Sequence, residues 1–256
     1  MLYVGCAQSF AKVNLDRLVF VKPASRTKRW LDIRREFILA NIKPRDIASE
    51  EQFDPLVKMV EAGMGFVPNS MGTMAHMNQL PFVFSALFAT IMGADAKVLF
   101  RGMLDALPDQ ENQEDNLDSE LLQLIAYCVS LSSGCLYCQA HTSHSAHRIK
   151  STRFEARFSN VLNCEEADCY SQAEKSAIQL ALAAGRTPNE VSDDHFAAFR
   201  KYFTERQQAQ ILGVISIFGF LNRWNDTNGT ALEEKPLVFA EEMMSSSGWS
   251  LGKHGF

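Results

Sequence analysis

No stretch of this chain alternates apolar and polar residues long enough to make a half-buried strand. Its apolar residues return instead at the three- and four-residue spacing of amphipathic helices, which limits the fold to an all-α arrangement. The pattern is plainest in Leu121, Leu122, Leu124, Ile125, Cys128 and Val129, the apolar face of a helix opened by Ser119-Glu120 and running to about Leu131. Ser133-Gly134 closes that helix, and Cys135 opens another that extends to about residue 150. Further helices are expected over 28–41, 53–63, from Ser70, and over 81–92 with Pro81 in the first turn. Three more follow, from Ser171 to Ala184, Asp193 to Tyr202 and Thr204 to about Trp224. Residues 104–118 read as acidic surface. From Glu233 the helical pattern is lost, and Met243 to Phe256 reads as a loose tail.

Three segments result: an N-terminal helical extension over 1–45, a helical domain over 46–232 and a C-terminal tail over 233–256. Within the domain, Ser119-Glu120-x-x-Gln123 to Gly134 aligns without gaps on Thr204-Glu205-x-x-Gln208 to Gly219, as two pseudo-repeated helical halves would. Cys135 then falls on Phe220 and Cys138 on Arg223, so the second copy lacks the thiols.

Composition excludes several classes of function. A net charge of −5 offers no basic stripe for nucleic acid; the run Arg26-Thr27-Lys28-Arg29 with Arg34-Arg35 reads as a solvated helix face. The longest apolar stretch, Pro81 to Ala94, falls short of the ~20 residues a membrane span needs. Gln8, Lys12, Asn14 and Asp16 interrupt any signal-peptide core over 1–22, so a cytoplasmic location is expected. Six cysteines in 256 residues are too few for a disulfide-stapled scaffold, and a close pair in a reducing compartment points to redox or metal chemistry. Cys128 reads as core, and Cys6, Cys164 and Cys169 as incidental.

That close pair is Cys135-Leu136-Tyr137-Cys138, followed by His141, His144 and His147. A Cys-x-x-Cys pair can close a small disulfide ring, so it can take two electrons and return them. A helix N-terminus carries about half a positive charge and unpaired N–H groups, which favour thiolate over thiol. His141 stands one turn beyond Cys138 on the same helix, where an imidazole can take a thiol proton or stabilise the thiolate. The histidines do not share one face, since each step of three residues lags the helix by ~60°. Cys135, Cys138 and His141 with His144 or His147 also make a candidate zinc set, although all four ligands would come from one helical stretch.

The segment Val129-Ser130-x-x-x-Gly134-Cys135-x-Tyr137-Cys138-x-Ala140-His141 resembles the carboxymuconolactone decarboxylase family, and more closely its alkylhydroperoxidase D-like, peroxidase-related branch. Gly65-Phe66-Val67-Pro68-Asn69 upstream and Phe203 to Gly229 with Asn222-Arg223 downstream extend the likeness over roughly 50–232. The resemblance implies an all-α, multi-helix, alkylhydroperoxidase D-like fold and a homo-oligomer. It implies a small-molecule peroxide as substrate and a thiol reductant or reductase protein as partner, with no cofactor and no metal. By the same resemblance Cys138 attacks the peroxide and Cys135 resolves the sulfenic acid. The family relay uses a Glu twelve residues before the first cysteine, where this chain has Gln123, which cannot move a proton. The prototype's His, four residues after the second cysteine, is here Thr142, while relatives carry it at the position of His141. If the helices on either side of 132–134 pack antiparallel, Gln123 lies level with His141 or Thr142, and Glu120 with His144 or Ser145. A relay shifted to Glu120 and His144 is one reading, and Glu120 as an ordinary first-turn residue is the other. A lyase of the same family and a non-catalytic redox sensor are the remaining alternatives.

Overall fold

The computed structural model describes residues 41–109 and 113–255. Of the extension expected over 1–45, residues 1–40, which include Cys6 and all but the last residue of the helix expected over 28–41, lie outside the described residues. Among those described there are eleven α-helices and no strand. The all-α reading therefore holds.

The first four helices share one apolar core. They are α1 (Asp54–Met64), α2 (Asn69–Met74), α3 (Leu80–Ile91) and α4 (Ala96–Leu104). Prolines in the first turns of α1 and α3 sit where no N–H partner is required, and Gly65, at φ +77°, ends α1 in a conformation costly to a side chain. Phe53, Leu56, Met71, Phe82 and Met103 are buried together, while α3 leaves Val83, Leu87, Phe88 and Ile91 exposed.

The larger core belongs to α5 (Ser119–Ser132), α6 (Leu136–His147), α7 (Phe154–Ser159), α8 (Gln172–Ala184), α9 (Asp193–Arg200), α10 (Glu205–Asn228) and α11 (Glu234–Met243). Helix α5 is central, packed against α6, α8 and α10. Leu124, Ile125 and Cys128 on it are completely buried, and each large aliphatic side chain removed from water stabilises the fold by about 1.5–3 kcal/mol. Ser171 with Glu174 and Thr204 with Gln207 form capping boxes that start α8 and α10. At the other end of α8, a Cβ on Gly185 would lie 2.0 Å from Ser132 Oγ and 2.8 Å from Val129 O. The absent side chain lets the two helices meet there.

The two aligned windows differ at both ends: Thr204 caps α10 in a capping box, whereas the aligned Ser119 lies inside α5, whose N-cap Asp118 makes no side-chain cap. Gly134 takes φ +76° and reverses the chain between α5 and α6, whereas α10 runs on through Gly219 to Asn228.

One expectation is overturned. The chain after Glu233 is not patternless: it forms α11 and then a segment that packs against α6. Trp249 and His254 in that segment are 8% and 1% exposed. Periodicity missed it because its anchors are isolated side chains rather than a repeating face. No helix of the described residues is long and apolar enough to cross a membrane.

Candidate dithiol site

The sulfurs are placed by the turn between α5 and α6. Ser130 and Leu131 carbonyls at the end of α5 accept the N–H groups of Cys135 (3.1 Å) and Gly134 (3.2 Å), which leaves Cys135 as the N-cap of α6. Its Sγ accepts the backbone N–H of Cys138 at 3.4 Å, the place a serine or aspartate oxygen would usually fill. Both cysteines are free thiols, 1% and 3% exposed. Asn225 of α10 points its side-chain amide at Cys138 Sγ, 3.7 Å away.

These surroundings push the two thiols apart. A hydrogen bond from the Cys138 thiol lowers the Cys135 pKa most; burial opposes it, the backbone N–H groups of Cys138 and Tyr137 add to it, and the charge of Asp226 works against it. Cys138 moves up, first through that same hydrogen bond to Cys135, then through burial and the adjacent sulfur's charge. The electrostatics thus favour a thiolate at Cys135, opposite to the order the resemblance implies.

His141 does have a carboxylate partner, and it is neither Gln123 nor Glu120. Its Nε2 lies 2.6 Å from Oε2 of Glu233, the N-cap residue of α11. Tyr137 donates its hydroxyl to Oε1 of the same carboxylate at 2.9 Å, and its ring lies 4.4 Å from the His141 ring. Burial acts to raise the Glu233 carboxyl, but its own backbone N–H and the hydrogen bonds from His141 and Tyr137 hold it below the ordinary carboxylate value. Tyr137 is pushed up to about 12, by burial first and then by Glu233. Since a carboxylate only accepts, it is Nε2 of His141 that donates to Glu233.

Of the two readings of Glu120, the shifted relay to His144 finds no contact in the structure. Glu120 is buried, with its Oε1 3.0 Å from the Arg157 guanidinium, which also pairs with Glu174 and has no exposed surface. That carboxylate balances a buried cation in the core and does not reach His144. Gln123 is half-buried on α5, and the imidazole it was expected to face is bonded to Glu233 instead. His144 and His147 turn toward Phe239 of α11, at ring distances of 5.5 and 5.0 Å. Burial and the cation of Arg148 lower the His144 pKa. The zinc set is therefore not assembled, and among the described residues no three His, Cys, Asp or Glu side chains gather as a metal site. Thr142 is buried and returns its hydroxyl to the Cys138 carbonyl at 2.8 Å.

Sequence reading missed Glu233, Asn225 and the brace around the turn. Asn222 accepts from Ser130 Oγ (3.1 Å) and donates to Ser133 Oγ (2.7 Å), tying α10 to the end of α5. The Asn222-Arg223 pair within the resemblance was the one signal that pointed to this helix face. A cleft of about 160 Å³ lies beside the brace, lined by Ser133, Thr187, Asn222, Arg223 and Asp226 among others; neither sulfur lines it.

No protein-family model matches the chain, and no curated protein matches it. Among solved structures, it is similar to the debrominase Bmp8 without ligand, at 27% identity and a TM-score of 0.47, covering 79% of this chain and 97% of that one. A cysteine-to-alanine variant of Bmp8 in complex with 2,3,4-tribromopyrrole gives 28% identity and the same TM-score, with 79% and 96% covered. A TM-score below 0.5 carries neither fold nor activity from those enzymes to this chain.

Proposed function

We propose that the chain is a dithiol–disulfide oxidoreductase whose Cys135–Cys138 pair reduces hydroperoxides, as the resemblance to the alkylhydroperoxidase D-like branch implies. The observation that carries the reading is two free thiols on the first turn of one helix, the first accepting the backbone N–H of the second. One turn further along the same helix an imidazole is held by a carboxylate. We assign the attack to Cys135 because it is the sulfur that receives the N–H groups of the helix start. Its thiolate takes an oxygen of the hydroperoxide, the O–O bond breaks, and the alkoxide leaves and takes a proton, for which His141 and Glu233 form the relay. Cys135 is then a sulfenic acid. Cys138 attacks that sulfur, its proton leaves with the hydroxyl as water, and the disulfide closes. A dithiol reductant supplies the two electrons that reopen it.

The homo-oligomer implied by the resemblance is part of the same proposal, supported by the exposed Val83, Leu87, Phe88 and Ile91 on α3. Light scattering tests it, and a monomer at working concentration removes it. The chemistry is tested by labelling free thiols before and after one equivalent of peroxide. Cys135 and Cys138 are expected to disappear together and to return with dithiothreitol. If both stay free while Cys128, Cys164 or Cys169 is oxidised, the reading is wrong.

A further inference from the structure

One carboxylate beside the turn that carries the thiols has no role in the chemistry just described. Asp226 follows Asn225, whose amide touches Cys138, and it shares the wall of the cleft with Ser133, two residues before Cys135. A negative charge there opposes a thiolate at either sulfur. The chain meets that carboxylate from its own far end. Lys253 Nζ lies 2.9 Å from Asp226 Oδ2, and His254 Nε2 lies 3.9 Å from Oδ1.

The segment that brings them is fixed directly on the cysteine helix. Trp249 donates its indole N–H to the Leu136 carbonyl at 3.0 Å, and Leu232 N–H donates to the His254 carbonyl at 2.9 Å. Gly252, at φ +57°, passes so close to Leu136 that a Cβ would lie 2.7 Å from its Cδ1. His254 donates from Nδ1 to the Thr230 carbonyl at 2.8 Å, which leaves Nε2 turned toward Asp226, buried and without a hydrogen-bond partner.

We propose that the segment Trp249–His254 belongs to the thiol site, with Lys253 as a positioning residue that neutralises Asp226 and so preserves negative charge on Cys135. Tyr137 and His141 on α6 are bound to Glu233 at the start of α11, while Asp226 of α10, which shares its cleft with Arg223, is paired with Lys253. The two carboxylates near the site thus each have their own partners, and the contribution of the C-terminal segment can be separated from that of the relay. The inference rests on the dithiol reading only in taking Cys135 as the sulfur that ionises.

The test is the pH dependence of iodoacetamide alkylation at Cys135, followed by peptide mass spectrometry in the full chain. Lys253→Gln is expected to raise the apparent Cys135 pKa by about 0.5 unit, roughly three-fold slower alkylation near neutrality, because Asp226 and Lys253 are half exposed and screened. Lys253→Glu should raise it further, and Lys253→Arg should keep the native profile. Asp226→Asn should lower the pKa and abolish the effect of Lys253→Gln in the double variant. An undiminished Lys253→Gln effect in the Asp226→Asn background overturns the proposal, as does equal behaviour of the Gln, Glu and Arg variants. Should Asp226→Asn fail to fold, the ordering of the three Lys253 variants decides alone. Alkylation needs no peroxide, so a chain that shows this coupling but forms no Cys135–Cys138 disulfide would retain the inference and lose the peroxidase reading.

Discussion

His141 Nε2 sits 2.6 Å from Glu233 Oε2 across 92 residues of sequence, and the other oxygen of the same carboxylate accepts the Tyr137 hydroxyl. Both acceptor sites of Glu233 are thus engaged by the first two turns of the helix that carries the thiols. The carboxylate that holds His141 comes from the start of α11 and not from α5. Under the proposed function, Glu233→Gln should lower peroxide turnover toward the lower end of the about 10²–10⁴-fold range of a positioned acid–base group. Stopped-flow peroxide consumption measures it, and an unchanged rate removes Glu233 from the relay.

The two positions suggested by the sequence should respond differently. Gln123→Glu is expected to leave turnover unchanged, since the His141 nitrogen it was expected to serve is already bonded to Glu233. Glu120→Ala should destabilise the fold by about 3–5 kcal/mol, because it strips a partner from the fully buried Arg157, with Glu174 holding the loss toward the lower figure. A urea midpoint reads this, with Cys135–Cys138 disulfide formation still intact in the folded fraction. A change in disulfide chemistry without a change in stability would return Glu120 to the site.

Folding lowers the Cys135 thiol through the hydrogen bond from Cys138, with the helix-start N–H groups adding to it against burial. A group whose folded pKa is depressed adds stability above its unfolded value, and that gain is lost as pH falls through the folded pKa. Cys135 in the native chain should therefore remain reactive to iodoacetamide below the ordinary thiol value of about 8.5, where the same cysteine in urea has slowed. Cys138, raised by its bond to Cys135 and by burial, should show the reverse. Paired pH profiles of native and unfolded protein check the sign.

The order of attack has its own signature. With Cys135 as the nucleophile, Cys138→Ser should accumulate a sulfenic acid at Cys135 that dimedone traps, and Cys135→Ser should consume no peroxide. A dimedone adduct at Cys138 in the Cys135→Ser chain would restore the order implied by the resemblance and show that the N–H groups at Cys135 stabilise the leaving sulfur instead.

Local chemistry determined a large part of this protein. Helical spacing alone placed α5, and Gly134 between two helices fixed the turn that sets Cys135 and Cys138 on one first turn. His141 followed from the same helix, because neighbours one turn apart are a property of the backbone. What the tertiary structure decided is everything that answers these groups from elsewhere. Glu120 could be read as a relay group or as an ordinary first-turn residue until α7 and α8 brought Arg157 and Glu174 around it. Glu233, Asn225 and Asp226 carry no local mark of their roles, since each acts only once α10 and α11 lie against α6. The C-terminal segment was illegible for a related reason: Trp249 and His254 are single anchors without a repeating face, and burial by another helix is what makes them structural.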